Sequence, residues 1–284
     1  MENHGKRLFI APNIRQLTTV NNHLVVLSDS VSILDINLNV TMNFDIQMVD
    51  CCNNVFATST CVYVLEDTLN VLIETSNITK IATWNNVLII GKEGGDIDIY
   101  FHNQFACCLS IHSDDITSLL VLDDILISSS SDGTINLYNL TEFSQLQSLD
   151  ENTIDEYLEE VITCNINVSV DYISVYKNQI YVATDMAQLS LWSFDGQLIK
   201  DYGHVQNINI DGYMCINILS IQNGNVYMCA HNNQHFKLFT FLCNEAALQP
   251  QKEYPQLEER INCLCLYNTA IVAGIDNGQI AIFE

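Results

Sequence analysis

The sequence predicts an all-β fold, a seven-bladed β-propeller of four-stranded antiparallel blades. A short hydrophobic run recurs seven times along the 284 residues, and a segment of alternating polar and apolar residues follows each run. The runs begin 31, 32, 38, 55, 46 and 44 residues apart. These spacings bracket the roughly 40–45 residues of a four-stranded propeller blade. The sequence therefore indicates a repeat architecture in which each copy is one blade.

The seven hydrophobic runs share a polar first residue and a core of aliphatic side chains. They are His23–Ser28, Asn54–Ser59, Asn86–Gly91, Asp124–Ser129, Gln179–Thr184, Asn225–Ala230 and Thr269–Gly274. A further apolar run precedes each copy. One copy cannot bury both faces of its own sheet, so we expect the sheets to stack radially.

The segment after the third run has the period of a β-strand. Ile97, Ile99 and Phe101 fall on one face of it, and the residues between them fall on the other. This period of two excludes an amphipathic helix. The turns between paired strands carry Gly and Asp, as in Gly94-Gly95-Asp96 and Asp132-Gly133, which suits tight hairpins.

The two ends of the chain predict how the last blade is completed. The last alternating segment, Gln279–Glu284, would be only the third strand of its blade. Residues 6–11, Lys-Arg-Leu-Phe-Ile-Ala, form a short run ahead of the first copy. We predict that this N-terminal strand completes the last blade, because an unpaired edge strand invites aggregation. A frayed N-terminus is the alternative. Residues 1–284 are thus predicted to form a single domain.

The charge is strongly one-sided. Ten Lys and Arg residues stand against 34 Asp and Glu residues, for a formal net charge of −24. Such a surface repels nucleic acid and anionic membranes and attracts basic proteins. Solubility alone is the alternative explanation. No apolar run approaches the ~20 residues of a membrane span, and the N-terminus lacks the pattern of a signal peptide. We therefore expect a cytoplasmic or nuclear protein, or one present in both compartments.

The cysteines and the glycine-rich segment of this chain lack the spacing that metal-binding, redox or phosphate-binding motifs require. The eleven cysteines include no Cys-x-x-Cys pair, which favours free thiols in a reducing compartment. The segment from Gly91 to Gly95 reads as a hairpin turn and not as a phosphate-binding loop. We expect no catalytic, cofactor or metal site, and so no enzyme.

The fourth copy resembles the WD-repeat family. Ile111-His112 stands where the family has Gly-His, Asp132-Gly133-Thr134 matches the family turn, and Tyr138-Asn139 replaces the terminal Trp-Asp. Gly203-His204, after the fifth copy, and the Trp of Leu191-Trp192 are further fragments. The pattern covers essentially the whole chain, and only this copy matches closely, so the chain is similar to a divergent member.

The family resemblance implies a structural hydrogen-bonded network inside the fourth blade. Its members would be His112, Ser128, Asp132 and Tyr138. These residue types also occur in catalytic sets, but the family uses them for structure.

The longest interval between copies contains an acidic insertion, residues 150–165. A short helix is predicted there, because Thr153 and Glu156 match a capping box and four apolar residues share one helical face. These residues are Ile154, Tyr157, Leu158 and Val161. The helix could dock on the propeller with its acids solvated, or the acids could clamp a basic segment.

Loops between blades and turns between the two middle strands lie on the same face of a propeller. That face is predicted to be negative and to bind a Lys/Arg-rich partner. The candidate partner-binding residues are Glu93, Asp96, Asp114, Asp115, Asp150, Glu151, Asp155, Glu156, Glu159, Glu160 and Asp185.

Two classes of function remain from the sequence. The first is a non-catalytic protein-interaction scaffold whose acidic face escorts a basic protein, such as a ribosomal protein or a histone, or binds a basic peptide. The second is a structural subunit of a larger complex, for RNA processing, transport or ubiquitin-ligase adaptation, with acidity serving solubility. In both, a monomeric propeller acts within a complex and contacts neither nucleic acid nor membrane directly.

Overall fold

A computed structural model describes residues 6–141 and 162–283 of the chain. Within these ranges the elements are 29 β-strands and one 3-10 turn, Val205–Asn207. The fold class predicted from the sequence is confirmed. Seven separate antiparallel sheets make up a seven-bladed β-propeller, six of them built from consecutive strands and one that joins β1 to the last three strands.

The first three complete blades follow β1 (Lys6–Phe9). Blade one contains β2 (Gln16–Val20), β3 (His23–Leu27), β4 (Val31–Leu34) and β5 (Val40–Phe44). Blade two contains β6 (Asp50–Cys52), β7 (Val55–Ala57), β8 (Cys61–Leu65) and β9 (Leu69–Glu74). Blade three contains β10 (Ile78–Trp84), β11 (Val87–Lys92), β12 (Asp96–Phe101) and β13 (Gln104–Ser110).

The next two blades have the same four-stranded order. Blade four contains β14 (Ile116–Leu122), β15 (Ile125–Ser130), β16 (Thr134–Asn139) and β17 (Ile162–Asn165). Blade five contains β18 (Val170–Tyr176), β19 (Gln179–Thr184), β20 (Gln188–Ser193) and β21 (Leu198–His204). Gly203-His204 ends the outer strand of blade five.

Blade six departs from the predicted four strands. It contains β22 (Asn209–Ile210), β23 (Tyr213–Gln222), β24 (Asn225–His231), β25 (Phe236–Cys243) and β26 (Leu248–Glu253). The extra strand β22 is only two residues long and pairs with the start of β23. Such a short strand carries no period for sequence reasoning to detect.

The predicted closing strand is present. Blade seven contains β27 (Ile261–Tyr267), β28 (Ala270–Ile275) and β29 (Gln279–Phe283), and β1 supplies its fourth strand. The register places Arg7 opposite Ala281 and Phe9 opposite Gln279 in an antiparallel pair. The first and last described strands are thus neighbours in one sheet, and β29 is not left as an unpaired edge.

Asparagine residues adopt the positive φ angles that several hairpin turns of this chain require. Asn21 and Asn22, between β2 and β3, have φ angles of 48° and 63°. Asn223 and Gly224, between β23 and β24, have φ angles of 53° and 75°. Two successive residues with positive φ form the type I′ turn whose twist matches a hairpin. Asn accepts this conformation better than most side chains.

The chain divides into two compact units, residues 1–48 with 202–284 and residues 49–201. In the first unit, Leu24 and Val26 are buried in one apolar cluster with Val272 and Ile280. In the second unit, Ile97 and Ile99 lie fully buried against Ile116 and its neighbours.

Both faces of β12 are covered, in the second unit. Asp98 and Tyr100, on the opposite face from Ile97, are also buried. Asp98 forms an ion pair with Lys92, which satisfies its carboxylate away from water. The alternation of polar and apolar residues in this strand therefore marks two buried faces with different packing environments. It does not mark one solvent-exposed face and one buried face.

The described residues include no helix long and apolar enough to cross a bilayer.

Candidate protein-interaction face

Backbone hydrogen bonds tie a turn to the loop that leads into the same blade, in blade three and in blade five. The N–H of Glu93, in the turn between β11 and β12, donates to the carbonyl of Asn77, ahead of β10, over 2.8 Å. The N–H of Asp185, in the turn between β19 and β20, donates to the carbonyl of Ser169 over 3.2 Å. The turn after the second strand and the loop before the first strand are therefore neighbours in each of these blades.

We call this end of blades three to five the acidic face and define it by its described carboxylates. They are Glu93, Asp96, Asp114, Asp115, Asp132 and Asp185. Glu93, Asp114 and Asp185 are exposed, and the other three are half-buried. The exposed members are the carboxylates that a partner could reach without displacing any described residue of the chain.

Several acids of this face have structural contacts that the sequence did not reveal. Asp115 accepts a hydrogen bond from the N–H of Gly94 over 2.9 Å and so ties the loop before β14 to the turn of blade three. Asp96 accepts from the hydroxyl of Ser110 over 2.6 Å. Asp114 accepts from the N–H of Asp115 over 2.8 Å. These carboxylates hold the turns in place, whatever else they contact.

The remaining predicted partner-binding residues lie outside the described part of the chain. They are Asp150, Glu151, Asp155, Glu156, Glu159 and Glu160. The predicted helix, with its apolar face from Ile154 to Val161, lies outside as well. The end of the insertion, from Ile162 to Asn165, is strand β17, the outer strand of blade four.

The negative charge is concentrated in the second unit. Residues 49–201 hold 23 of the 34 acidic residues and four of the ten basic ones, so that 23 negative and four positive charges give −19 of the total −24. The four basic residues are all lysines. An excess of this size creates a negative potential that reaches well beyond contact distance at low salt.

His112 is the centre of a buried hydrogen-bond network in blade four. Its Nε2 lies 2.8 Å from Ser128 Oγ, and its Nδ1 lies 2.9 Å from Thr134 Oγ1 and 3.2 Å from Asp132 Oδ2. Burial lowers the pKa of His112 by more than the nearby Asp132 carboxylate raises it, which favours the neutral imidazole. This places one ring nitrogen as a donor and the other as an acceptor.

Asp132 anchors the network to the turn. Its carboxylate accepts hydrogen bonds from the N–H of Ser113 and from both the N–H and the hydroxyl of Thr134, over 2.7–2.8 Å. Burial alone would raise the pKa of Asp132, but these hydrogen bonds outweigh it and the pKa is lowered. Asp132 therefore keeps its negative charge among neutral donors.

The structure joins His112, Ser128 and Asp132 by hydrogen bonds and places the Tyr138 hydroxyl close to Ser128 and Asn136, without a well-formed hydrogen bond to either. The Tyr138 side chain is buried, and its hydroxyl has no hydrogen-bond partner in the described structure. A phenol carries its hydrogen-bonding group at the tip of the ring, whereas an indole carries it at the side. Asn136 joins the network instead, with Nδ2 3.2 Å from His112 Nε2.

Gly95 allows the turn of blade three to lie directly against the backbone of His112. A Cβ on Gly95 would stand 2.4 Å from the His112 carbonyl oxygen, and φ is +99°. No other residue type fits this contact without a backbone shift. Gly94, beside it, has open space around the same position.

A polar pocket opens beside the network, between the end of β13 and the strands β16 and β17. Its volume is about 510 Å³, and Ser110, His112, Asn136 and Thr163 are among its lining residues. Sequence reasoning missed Thr163, Asn136 and Ser110, because they come from three strands and have no shared spacing. Among the described residues, no group of three His, Cys, Asp or Glu side chains is placed to hold a metal ion.

Comparisons with known proteins agree with this fold. No family model and no curated protein matches the chain. Solved structures do match over nearly its full length. The WD40 β-propeller domain of Doa1 has a TM-score of 0.67 at 14% identity, covering 99% of this chain and 97% of that chain. A chain of the mitotic checkpoint complex has a TM-score of 0.69 at 12% identity, covering 99% and 91%.

A designed protein, the computationally designed Ika8 protein, matches equally well. Its TM-score is 0.67 at 15% identity, covering 97% of each chain. Seven blades and a closing N-terminal strand therefore define the class of this chain as a seven-bladed β-propeller. Its fold is similar to that of WD40 propellers, and the resemblance stated from blade four is confirmed at the level of the fold.

Proposed function

We propose that this chain is a non-catalytic scaffold whose acidic face binds a Lys/Arg-rich protein or peptide, as an escort of a ribosomal protein or histone would. Propellers of the WD40 type generally serve as protein-interaction scaffolds. The observation that carries the proposal is the net charge of −19 within residues 49–201, with exposed carboxylates at one end of blades three to five. Long-range attraction to this face would speed the capture of a cationic chain.

The contacts within the face support its use as a preformed surface. Hydrogen bonds such as Gly94 N–H to Asp115 hold the turns before any partner arrives. A surface that is ordered in advance loses less conformational entropy on binding than one that must fold around its partner. The exposed Glu93 and Asp185 side chains are then available for the partner.

Neutralising exposed acids tests the proposal. The double variant Glu93→Gln with Asp185→Asn removes two negative charges from the acidic face. The matched control, Glu66→Gln with Asp67→Asn, removes two exposed charges from the turn between β8 and β9, which lies at the opposite end of its blade. Binding of a synthetic Lys/Arg-rich peptide is measured by fluorescence anisotropy. Neutralising the face is expected to weaken binding about tenfold, which corresponds to ~1.4 kcal/mol.

The control separates the face from the net charge. If the control variant weakens binding as much as the face variant, the attraction belongs to the whole molecule and not to this face. If neither variant changes the recovery of the natural partner, the chain is instead a structural subunit of a larger complex and its acidity serves solubility.

A further inference from the structure

The polar pocket beside His112 is lined by groups that accept hydrogen bonds. Thr163 donates its hydroxyl proton to Asn136 Oδ1 over 2.6 Å, and Ser110 donates its own to Asp96 Oδ1 over 2.6 Å. Thr134 likewise donates its proton to Asp132. All three hydroxyl protons are therefore used within the protein. Thr134 Oγ1 also lies 2.9 Å from His112 Nδ1, so the freest lone pairs are those of Thr163 and Ser110. A ligand that matches these two oxygens brings donors.

The pocket also carries negative charge that no basic residue of its described lining neutralises. Asp132 lines it, and Asp96 is hydrogen-bonded to the lining residue Ser110. Lysine and arginine are absent from its described lining residues. The partners of Asp132 are the neutral donors Ser113, Thr134 and His112, which satisfy its oxygens without cancelling its charge. A ligand that brings positive charge as well as N–H donors therefore suits the site.

The rim of the pocket suits a long side chain. The volume of about 510 Å³ leaves ample room for one. Ile111 stands among the lining residues and is 36% exposed, so it offers an apolar surface there. Lysine and arginine combine an aliphatic stem, which packs on apolar surface, with a charged donor at the end.

We propose that this pocket takes one lysine or arginine side chain of the basic partner, with its charged end near Asp96 and Asp132 and its stem along Ile111. The proposal rests on the proposed function and specifies where the partner is anchored. The acidic face attracts the partner at long range, and the pocket holds one of its side chains at contact distance. The affinity of a basic peptide should therefore depend on the shape of the pocket as well as on charge.

Substitution of a pocket residue by a large uncharged side chain tests the pocket. Thr163 is exposed on β17, and Thr163→Trp would place a bulky ring at the pocket without changing the net charge. Thr163→Ser keeps the hydroxyl and serves as the matched control. Thr68→Trp places the same bulky residue on an exposed turn elsewhere in the second unit. With a Lys/Arg-rich peptide as probe, Thr163→Trp is expected to weaken binding about tenfold, and both controls are expected to bind as the wild type does.

A second variant covers the case in which the tryptophan variant fails to fold. Asp96→Asn keeps the acceptor for Ser110 and removes one charge beside the pocket. It should weaken binding more than Asp67→Asn, which removes one charge from the turn between β8 and β9. Thermal unfolding of each variant confirms that it is folded.

The outcomes separate the pocket from the proposed function. If Thr163→Trp binds as the wild type while the Glu93 and Asp185 double variant loses affinity, the pocket proposal is wrong and the acidic face remains. If the folded wild type does not bind basic peptides at all, both proposals fail. Loss of binding in both variants, with all controls intact, supports the pocket as the anchor.

Discussion

At the scale of single residues, one turn of this chain depends on a position where only glycine fits. Gly95 and His112 meet backbone to backbone, whereas Gly94 has a positive φ of 82° and no neighbour near its missing Cβ. The two adjacent glycines thus separate the effect of steric contact from the effect of backbone conformation.

Gly95→Ala is expected to destabilise the protein by about 3 kcal/mol or more, since the new methyl would meet the His112 carbonyl and force the turn away. Gly94→Ala should cost only about 1 kcal/mol, the strain of an alanine at positive φ. Urea unfolding of both variants measures the difference. Equal losses would show that the close approach of these two segments contributes nothing to stability.

His112 gives the stability a pH dependence of defined sign. Burial depresses the pKa of His112 in the folded state below the 6.5 of a free histidine. The unfolded chain therefore binds this proton more readily, and the stability contributed by the neutral imidazole is present above pH 6.5 and declines as the pH falls below it. One such proton changes the free energy of unfolding by at most about 1.4 kcal/mol per pH unit.

The measurement compares the wild type with His112→Gln by urea unfolding between about pH 5 and pH 8, above the titration range of Asp132. The variant is expected to be less stable and to show a shallower slope below pH 6.5. If both proteins lose stability in parallel as the pH falls, the pH dependence comes from other groups.

At the scale of elements, the closing strand has the largest expected effect. Among the described strands, β1 is the outer partner of β29 in blade seven, and Leu8 and Ile10 pack against the buried cluster that includes Val272 and Ile280. An unpaired β29 would expose a row of backbone donors and acceptors to other chains.

A chain that lacks residues 1–10 is expected to unfold at a lower temperature and to self-associate. A synthetic peptide of residues 1–12, added in trans, should restore the unfolding temperature, and a scrambled peptide should not. Calorimetry together with light scattering measures both effects. A monomeric truncated chain with unchanged unfolding temperature would mean that β1 is dispensable.

Most strands were predictable because each one carries its own pattern. The alternation in Ile97, Ile99 and Phe101 and the glycines after β11 are local signals, so β11 and β12 appear within a residue or two of the predicted bounds. The strand β22 was not predictable, because two residues define no period. Its existence depends on the path of the chain ahead of β23.

At the scale of the whole molecule, the candidate site was predictable only in part. Glu93 and Asp185 were placed correctly in hairpin turns, because topology decides at which end of a blade a turn lies. The structural contacts of Asp115 and Asp96 could not be predicted, because each carboxylate accepts a hydrogen bond from a group that is distant in sequence. Asp115 accepts from the N–H of Gly94, and Asp96 accepts from the hydroxyl of Ser110. The pocket at Thr163 is invisible in the sequence for the same reason.

Purification of the protein with its natural partners at two salt concentrations tests the central claim most directly. At about 0.1 M salt the screening length is ~10 Å, and at about 1 M it is ~3 Å. Mass spectrometry should identify a Lys/Arg-rich partner at the lower concentration and find it largely lost at the higher one. A neutral partner retained equally at both concentrations would contradict binding through the acidic face.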